Sequence, residues 1–402
     1  MIGWPRRSKG FGQILSLVVA AFICWPPSGL LAQPNELFQP EFFEPKAEAC
    51  ERSPAMEKYE AKLVDYLFEN QQAGPRRQKR RSHALLLMKG HCVHLELYDL
   101  GFGPDNPHLL WSVSKSLSNL VIGRAVELGL LSLSDPLSLY FPESRYPFLR
   151  DLKLIHLLDW SSGVSWQETY EFSPLFSDVV AMLYTRGRRD MSKDVLGRKA
   201  RAAPGEAFNY STGDSTLLMG VLDRALKLSH RKGLRPSLPQ TGRDFVQREF
   251  FDKLQINSAV WESDSKDQLV GGALAYASAP DLAKIGLFVL NQGRWNGEQL
   301  ISKDWFENSF QVVDTYQGLG PARDGFPGRH WWLNRRDESK GRQKAWPDAP
   351  EDAVLAQGHW GQLLVLIPSQ SLVLVRFGDE LARSTDKNKV ISLLSKWGAA
   401  KH

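Results

Sequence analysis

A serine placed three residues before a lysine is a pair that can carry out acyl transfer. The serine hydroxyl is a weak nucleophile near neutral pH and needs a base within reach and donors for the oxyanion that forms. Residues three apart on a helix share a face, so the lysine amine can approach the hydroxyl. The lysine acts as a base only when burial or nearby cations lower its pKa. Ser-x-x-Lys occurs four times here, at Ser112, Ser229, Ser263 and Ser384. Only Ser112, in Ser112-Val113-Ser114-Lys115, opens a long amphipathic helix directly after a predicted hairpin. Ser229 lies in a basic helix end, Ser263 in a polar loop, and Ser384 reads as the N-cap of the last helix. The start of a helix also offers unpaired N–H groups and a positive dipole end to developing negative charge.

Two later segments add chemistry. In residues 204–214, Tyr210 sits in a turn before a helix, where a tyrosine can share a proton with Lys115. A partly buried tyrosine closing a loop explains that position equally well. Gly358-His359-Trp360-Gly361-Gln362 lies between two strand candidates. Glycines there let a strand edge come close to a ligand, and the Gln362 N–H is a candidate oxyanion donor. A plain hairpin turn is the ordinary alternative.

The elements that must position these residues follow from periodicity. Residues 55–70 have helical spacing, through Met56, Tyr59, Leu63 and Leu67. Residues 84–88 and 92–98 read as strands joined at Lys89-Gly90. The helix from Ser112 closes at Gly129. Residues 132–260 are mostly helical patterns with no strand pair, and residues 281–291 form a further helix. Strand candidates return at 330–333, 354–356, 363–367 and 372–377, before a last helix over 386–397. Strands at both ends and helices between predict an α/β (α+β) fold. Its antiparallel sheet is built from N- and C-terminal segments, flanked by helices, with an inserted helical lobe at about 132–270.

With these segments in order, the chain resembles the serine β-lactamase and penicillin-binding-protein superfamily, in its class C β-lactamase-like esterase and amidase branch. The resemblance rests on Ser112-x-x-Lys115, Tyr210-x-Thr212 and His359-x-Gly361, and spans about residues 83–378. It implies that Ser112 is acylated, that Lys115 and Tyr210 activate it, and that the N–H groups of Ser112 and Gln362 form the oxyanion hole. Tyr170, Thr212, His359, Trp360 and Gly361 would then face substrate. Two positions depart from the family. Thr212 replaces the usual Asn or Ser but keeps a hydroxyl. His359-Trp360-Gly361 replaces Lys-Thr-Gly, and a histidine is mostly neutral above pH 7. The fixed positive charge for a substrate carboxylate is therefore missing, which favours an ester or amide over a β-lactam.

Composition sets the remaining limits. Hydrophobic residues make up 43%, enough for a sizeable core in 402 residues. Arg6, Arg7 and Lys9 precede an apolar run over 14–25, which reads as an export signal cut near Ala32. A lipoprotein cut at Cys24 and an uncleaved anchor are the alternatives. Residues 33–82 then form a lead-in, a helix and the basic loop 74–81, and residues 83–402 the hydrolase domain. Losing the leader lowers the net charge from +5 to +2, which speaks against a nucleic-acid partner. Cys50 and Cys92 remain, as one disulfide or two buried thiols. No cofactor is expected. The expected partner is a small-molecule or peptide ester or amide, with cell-envelope association open. A DD-carboxypeptidase or β-lactamase remains an alternative activity, and a cell-wall peptide-binding protein the non-enzymatic one. A metal hydrolase would have to use His91 and His94, the one close histidine pair, which more simply make ordinary cross-strand contacts.

Overall fold

The computed structural model describes residue 50 and residues 52–68, 81–169, 174–318, 324–380 and 385–400. The expected leader, Tyr170, Ser384 and residues 74–80 of the basic loop lie outside them. Helix α1 (Pro54–Phe68) precedes the hairpin β1 (Ser82–Lys89) and β2 (Cys92–Tyr98). A short strand β3 (His108–Leu109) leads into α2 (Val113–Glu127). The helical lobe follows, with α3 (Leu154–Leu158), α4 (Asp178–Tyr184), α5 (Met191–Leu196), α6 (Thr212–Arg231) and α7 (Gly242–Val246). Strands β4 (Val260–Trp261) and β5 (Ala275–Ala277) return the chain to α8 (Ala279–Leu290). Then come β6 (Arg294–Trp295), β7 (Glu298–Gln299), α9 (Lys303–Ser309), β8 (Phe326–Pro327) and β9 (Trp332–Leu333). The chain closes with β10 (Val354–Gly358), β11 (Gln362–Ile367), β12 (Leu372–Gly378) and α10 (Lys387–Gly398).

The main sheet runs β2-β1-β12-β11-β10-β9-β8, with antiparallel neighbours throughout. The N-terminal hairpin therefore joins the C-terminal strands through β1 and β12, as the pattern of strands at both ends predicts. Alternate residues of a strand face opposite sides of a sheet. Leu86, Met88, Leu364, Leu366, Val373 and Val375 enter the core shared with α2, α6 and α8. Leu85, Leu87, Leu363, Val365, Leu372 and Leu374 pack under α1 and α10. Burial on both faces explains why these strands read as unbroken apolar runs. It also packs α1, the helix expected over 55–70, against the outer face of the sheet. Cys50 and Cys92 are joined in a disulfide, Cα to Cα 5.5 Å, which ties the approach to α1 to the start of β2.

Three differences from the expected elements stand out. The strand expected over 330–333 is reduced to Trp332–Leu333, because His330 takes a left-handed φ of 65°. Strands β3, β5 and β4 form a small second sheet at the foot of the lobe; two- and three-residue strands are too short to show alternation. Helix α2 is buried all round, from Val113 to Ala125, instead of amphipathic.

Candidate active site

Ser112 is the N-cap of α2, with helical φ and ψ of −70° and −7°. It is half-buried and lines a cleft of about 670 Å³ between the sheet and the helical lobe. Trp111 before it takes a left-handed φ of 48°. Strain of about 1–3 kcal/mol at such a position persists only where the surrounding structure enforces it. Here Leu110 N–H donates to Ala275 O at 2.8 Å, and the Trp111 ring packs edge-on against His359 and Trp360.

One turn along, Lys115 is almost wholly buried. Its Nζ lies 3.0 Å from Ser112 Oγ, 2.7 Å from Thr212 Oγ1 and 2.9 Å from Gly272 O. Gly272 O can only accept. The Thr212 hydroxyl gives its proton to Glu168 Oε1 and so accepts from Lys115. A neutral amine with two N–H donors is satisfied by those two groups, which leaves its lone pair directed at Ser112. Burial lowers the Lys115 pKa to about 8, while Glu168, 3.6 Å from Nζ, opposes the fall. The aromatic face of Tyr210 covers the amine, with the ring centroid 4.7 Å from Nζ. Trp160 and Trp332 hold that ring, at 4.8 and 5.6 Å.

Glu168 belongs to this centre and was not singled out in the sequence. Besides Lys115 and the Thr212 hydroxyl it accepts from Thr212 N–H at 3.0 Å and from Trp166 Nε1. A lone acid on a loop has no period to mark it, although it stands in the same Trp166–Thr169 stretch that precedes Tyr170. Thr212, expected on the substrate side, is fully buried between Lys115 and Glu168 and does not line the cleft. Its position at the start of α6, after the N-cap Ser211, turns its side chain toward α2.

His359, Trp360 and Gly361 form the turn between β10 and β11 and line the cleft with Ser112. Gly358 lets this turn approach the segment before Ser112, since a Cβ there would lie 2.3 Å from Leu110 O. Gln362, expected to offer its N–H to an oxyanion, is instead fully buried at the start of β11, pairs with Gly358 across the hairpin and does not line the cleft; its side-chain amide donates to Gly378 O at 2.7 Å and to His359 O at 3.0 Å. Trp332, Trp346, Asp324, Glu380 and Lys387 are among the other residues of the wall. The structure thus brings Ser112, Lys115, Tyr210, His359, Trp360 and Gly361 to one place. Among the described residues no group of three or more His, Cys, Asp or Glu is placed to hold a metal.

The beta-lactamase family model matches residues 56–387. The chain belongs to the beta-lactamase family. Its relatives include the 6-aminohexanoate-dimer hydrolase of Paenarthrobacter ureafaciens, 25% identical over 295 residues, which are 68% of this chain and 71% of that one. A solved Bacillus anthracis structure with a provisional 6-aminohexanoate-dimer hydrolase label shares the fold, at TM-score 0.60 and 18% identity, covering 91% of this chain and 86% of that one. The hydrolase EstCE1, with promiscuous acyltransferase activity, shares it too, at TM-score 0.61 and 14% identity over 86% of this chain and 99% of that one. The solved structures show the shared fold, and the curated relative is a hydrolase.

Proposed function

We propose that the protein is a serine hydrolase that cleaves an ester or amide through an acyl-enzyme on Ser112. The observation that carries this reading is the Lys115 amine, buried and in contact with Ser112 Oγ at the floor of the cleft. Lys115 takes the hydroxyl proton as Ser112 Oγ attacks the carbonyl carbon. The carbonyl oxygen becomes an oxyanion facing the Ser112 N–H at the start of α2. Collapse of the adduct breaks the bond to the alcohol or amine, which leaves with the proton passed back from Lys115, with Tyr210 beside it. Water then releases the acid by the same route and restores Ser112.

The substrate class is an ester or amide that needs no carboxylate handle. His359 stands where a fixed cation would bind one, and Lys387, a cation on the cleft wall, is engaged by Asp324. Trp332, Trp346 and Trp360 offer apolar surface instead. The name of the Paenarthrobacter relative adds 6-aminohexanoate dimers to the substrates to be tested. A disulfide between Cys50 and Cys92 supports export, since such bridges persist in oxidising compartments.

A fluorophosphonate probe should label the purified protein and leave Ser112→Ala unlabelled. Equal labelling of both would remove Ser112 from the mechanism. Turnover across an ester, amide and β-lactam panel then ranks the substrates.

A further inference from the structure

Two tryptophans that meet next to Ser112 hold a backbone that tryptophan rarely takes. Trp360 has a left-handed φ of 62°, and Trp111 one of 48°. That region favours glycine, and a bulky residue persists there only where its surroundings enforce it. Glu380 N–H donates to Trp360 O at 2.9 Å, and the Trp360 ring packs edge-on against Trp111, centroid to centroid 5.4 Å. The turn thus fixes an indole in the cleft wall, where Trp332 and Trp346 also stand. The face of an aromatic ring is negative and attracts a cation.

The charge around these rings has the matching sign. Among the described residues, the carboxylates Glu168, Asp324, Glu380 and Asp386 line the cleft against a single lysine, Lys387. Arg376 stands behind Glu380 in a 2.5 Å ion pair, and Lys115 lies 3.6 Å from Glu168. The proposed acylation needs Lys115 neutral, so the working cleft and the cations behind it carry an excess of negative charge. The carboxylates are, however, already engaged. Glu168 accepts from Thr212 and Trp166, and Asp324 from Lys387. Glu380 accepts from Arg376 and from Thr385 N–H at 3.1 Å, and Asp386 from Lys389 N–H at 3.3 Å. A primary ammonium brings N–H donors that each need an acceptor. A quaternary ammonium brings none and needs only aromatic faces and a negative field. We propose that the cleft takes esters or amides that carry a quaternary alkylammonium group, with Trp360 as the ring that selects it. This rests on the acyl-enzyme reading above. With a choline ester, Ser112 takes the acyl group, choline leaves with the hydroxyl proton, and water releases the acid.

The test compares acetylcholine with 3,3-dimethylbutyl acetate, its neutral isostere, in wild type, Trp360→Gly and Trp360→Phe. Glycine suits the left-handed turn and removes the ring; phenylalanine keeps one. With each rate divided by that of hydroxide-catalysed hydrolysis, wild type should favour the cationic ester about 10-fold in kcat/KM, the size of a desolvated cation–π contact. Trp360→Gly should lower that ratio severalfold, and Trp360→Phe should keep most of it. Tetramethylammonium chloride should compete with p-nitrophenyl acetate in wild type and much less in Trp360→Gly. Methylammonium chloride at the same ionic strength should inhibit little. A ratio near one together with no tetramethylammonium inhibition overturns the proposal. So does a preference or an inhibition that survives Trp360→Gly undiminished. Equal inhibition by methylammonium also overturns it, since the carboxylates would then hold the cation in place of the rings. If Trp360→Gly fails to fold, Trp332→Leu takes its place with the same expectations. Fluorophosphonate labelling keeps two failures apart. Wild type that is not labelled sinks the acyl-enzyme reading, and the change in tryptophan fluorescence on adding tetramethylammonium then still reads the cation site. Normal labelling with no cation effect removes the cation site alone.

Discussion

At Lys115 two opposing effects decide the protonation state. Burial expels charge and Glu168 retains it, and the balance places the amine near the pH at which a base is useful, at about 8. The proposed acylation requires the neutral amine. For a neutral ester, kcat/KM should therefore rise with pH and level off above about 8. Glu168→Gln removes the charge that favours the ammonium form, so the rise should move to lower pH by about one unit. A pH–rate profile of both proteins checks this. A limb that stays in place or moves to higher pH would show that Glu168 does not govern the lysine. Residue spacing made Ser112 and Lys115 legible because a helix fixes their geometry within four residues. Thr212 and Glu168 meet Lys115 only through tertiary packing, so the direction of the Thr212 hydroxyl and the presence of the acid could not be read from spacing.

Among the elements, the five longer strands of the main sheet, β1, β2, β10, β11 and β12, and the two covering helices were legible, since apolar runs and helical spacing are local signals. The character of α2 was not. Its serines suggest a wet face, yet Ser116 donates to His330 O at 2.7 Å, Ser118 to Gly271 O, and Ser114 accepts from Ala275 N–H. Small hydroxyls that find protein partners can be buried without the penalty of an unmet polar group, and their one-letter pattern is the same either way. Ser112, the proposed nucleophile, thus stands at the start of a helix gripped on all sides. By contrast, α1 lies on the outer face of the sheet, with Leu63 and Leu67 packed in the cluster that includes Trp397. Its disulfide spans a sequence separation of 42 residues. Replacing Cys50 and Cys92 together by serine should lower stability by about 2–4 kcal/mol and leave kcat/KM at 25 °C within about twofold. Thermal melts beside steady-state assays separate the two effects. Loss of turnover in protein that is still folded would show that this outer layer reaches the site.

The whole molecule sets the cleft between two bodies: a sheet carrying His359, Trp360 and Gly361, and a helical lobe carrying Tyr210 and Glu168. Which chemistry occurs depends on both, and so does which substrate is held. On the sheet side, Glu380 is matched by the buried Arg376, and on the rim Lys387 is matched by Asp324. Each of these cations already has a carboxylate, so a substrate carboxylate entering beside His359 displaces an existing pair or goes without. The order of the three motifs along the chain made this architecture legible; the pairing of Asp324 with Lys387, across 63 positions, was not. His359→Lys supplies the absent charge. A charge-assisted hydrogen bond contributes about 1.5–3 kcal/mol, so kcat/KM for a carboxylate-bearing β-lactam should rise by about 10- to 100-fold, while that for a neutral ester changes little. Parallel assays of the two substrates check this. A gain for both alike would mean that the lysine acts on the oxyanion and not on the carboxylate. No gain for either would place the substrate-binding end of the cleft elsewhere, toward Trp332 and Trp346.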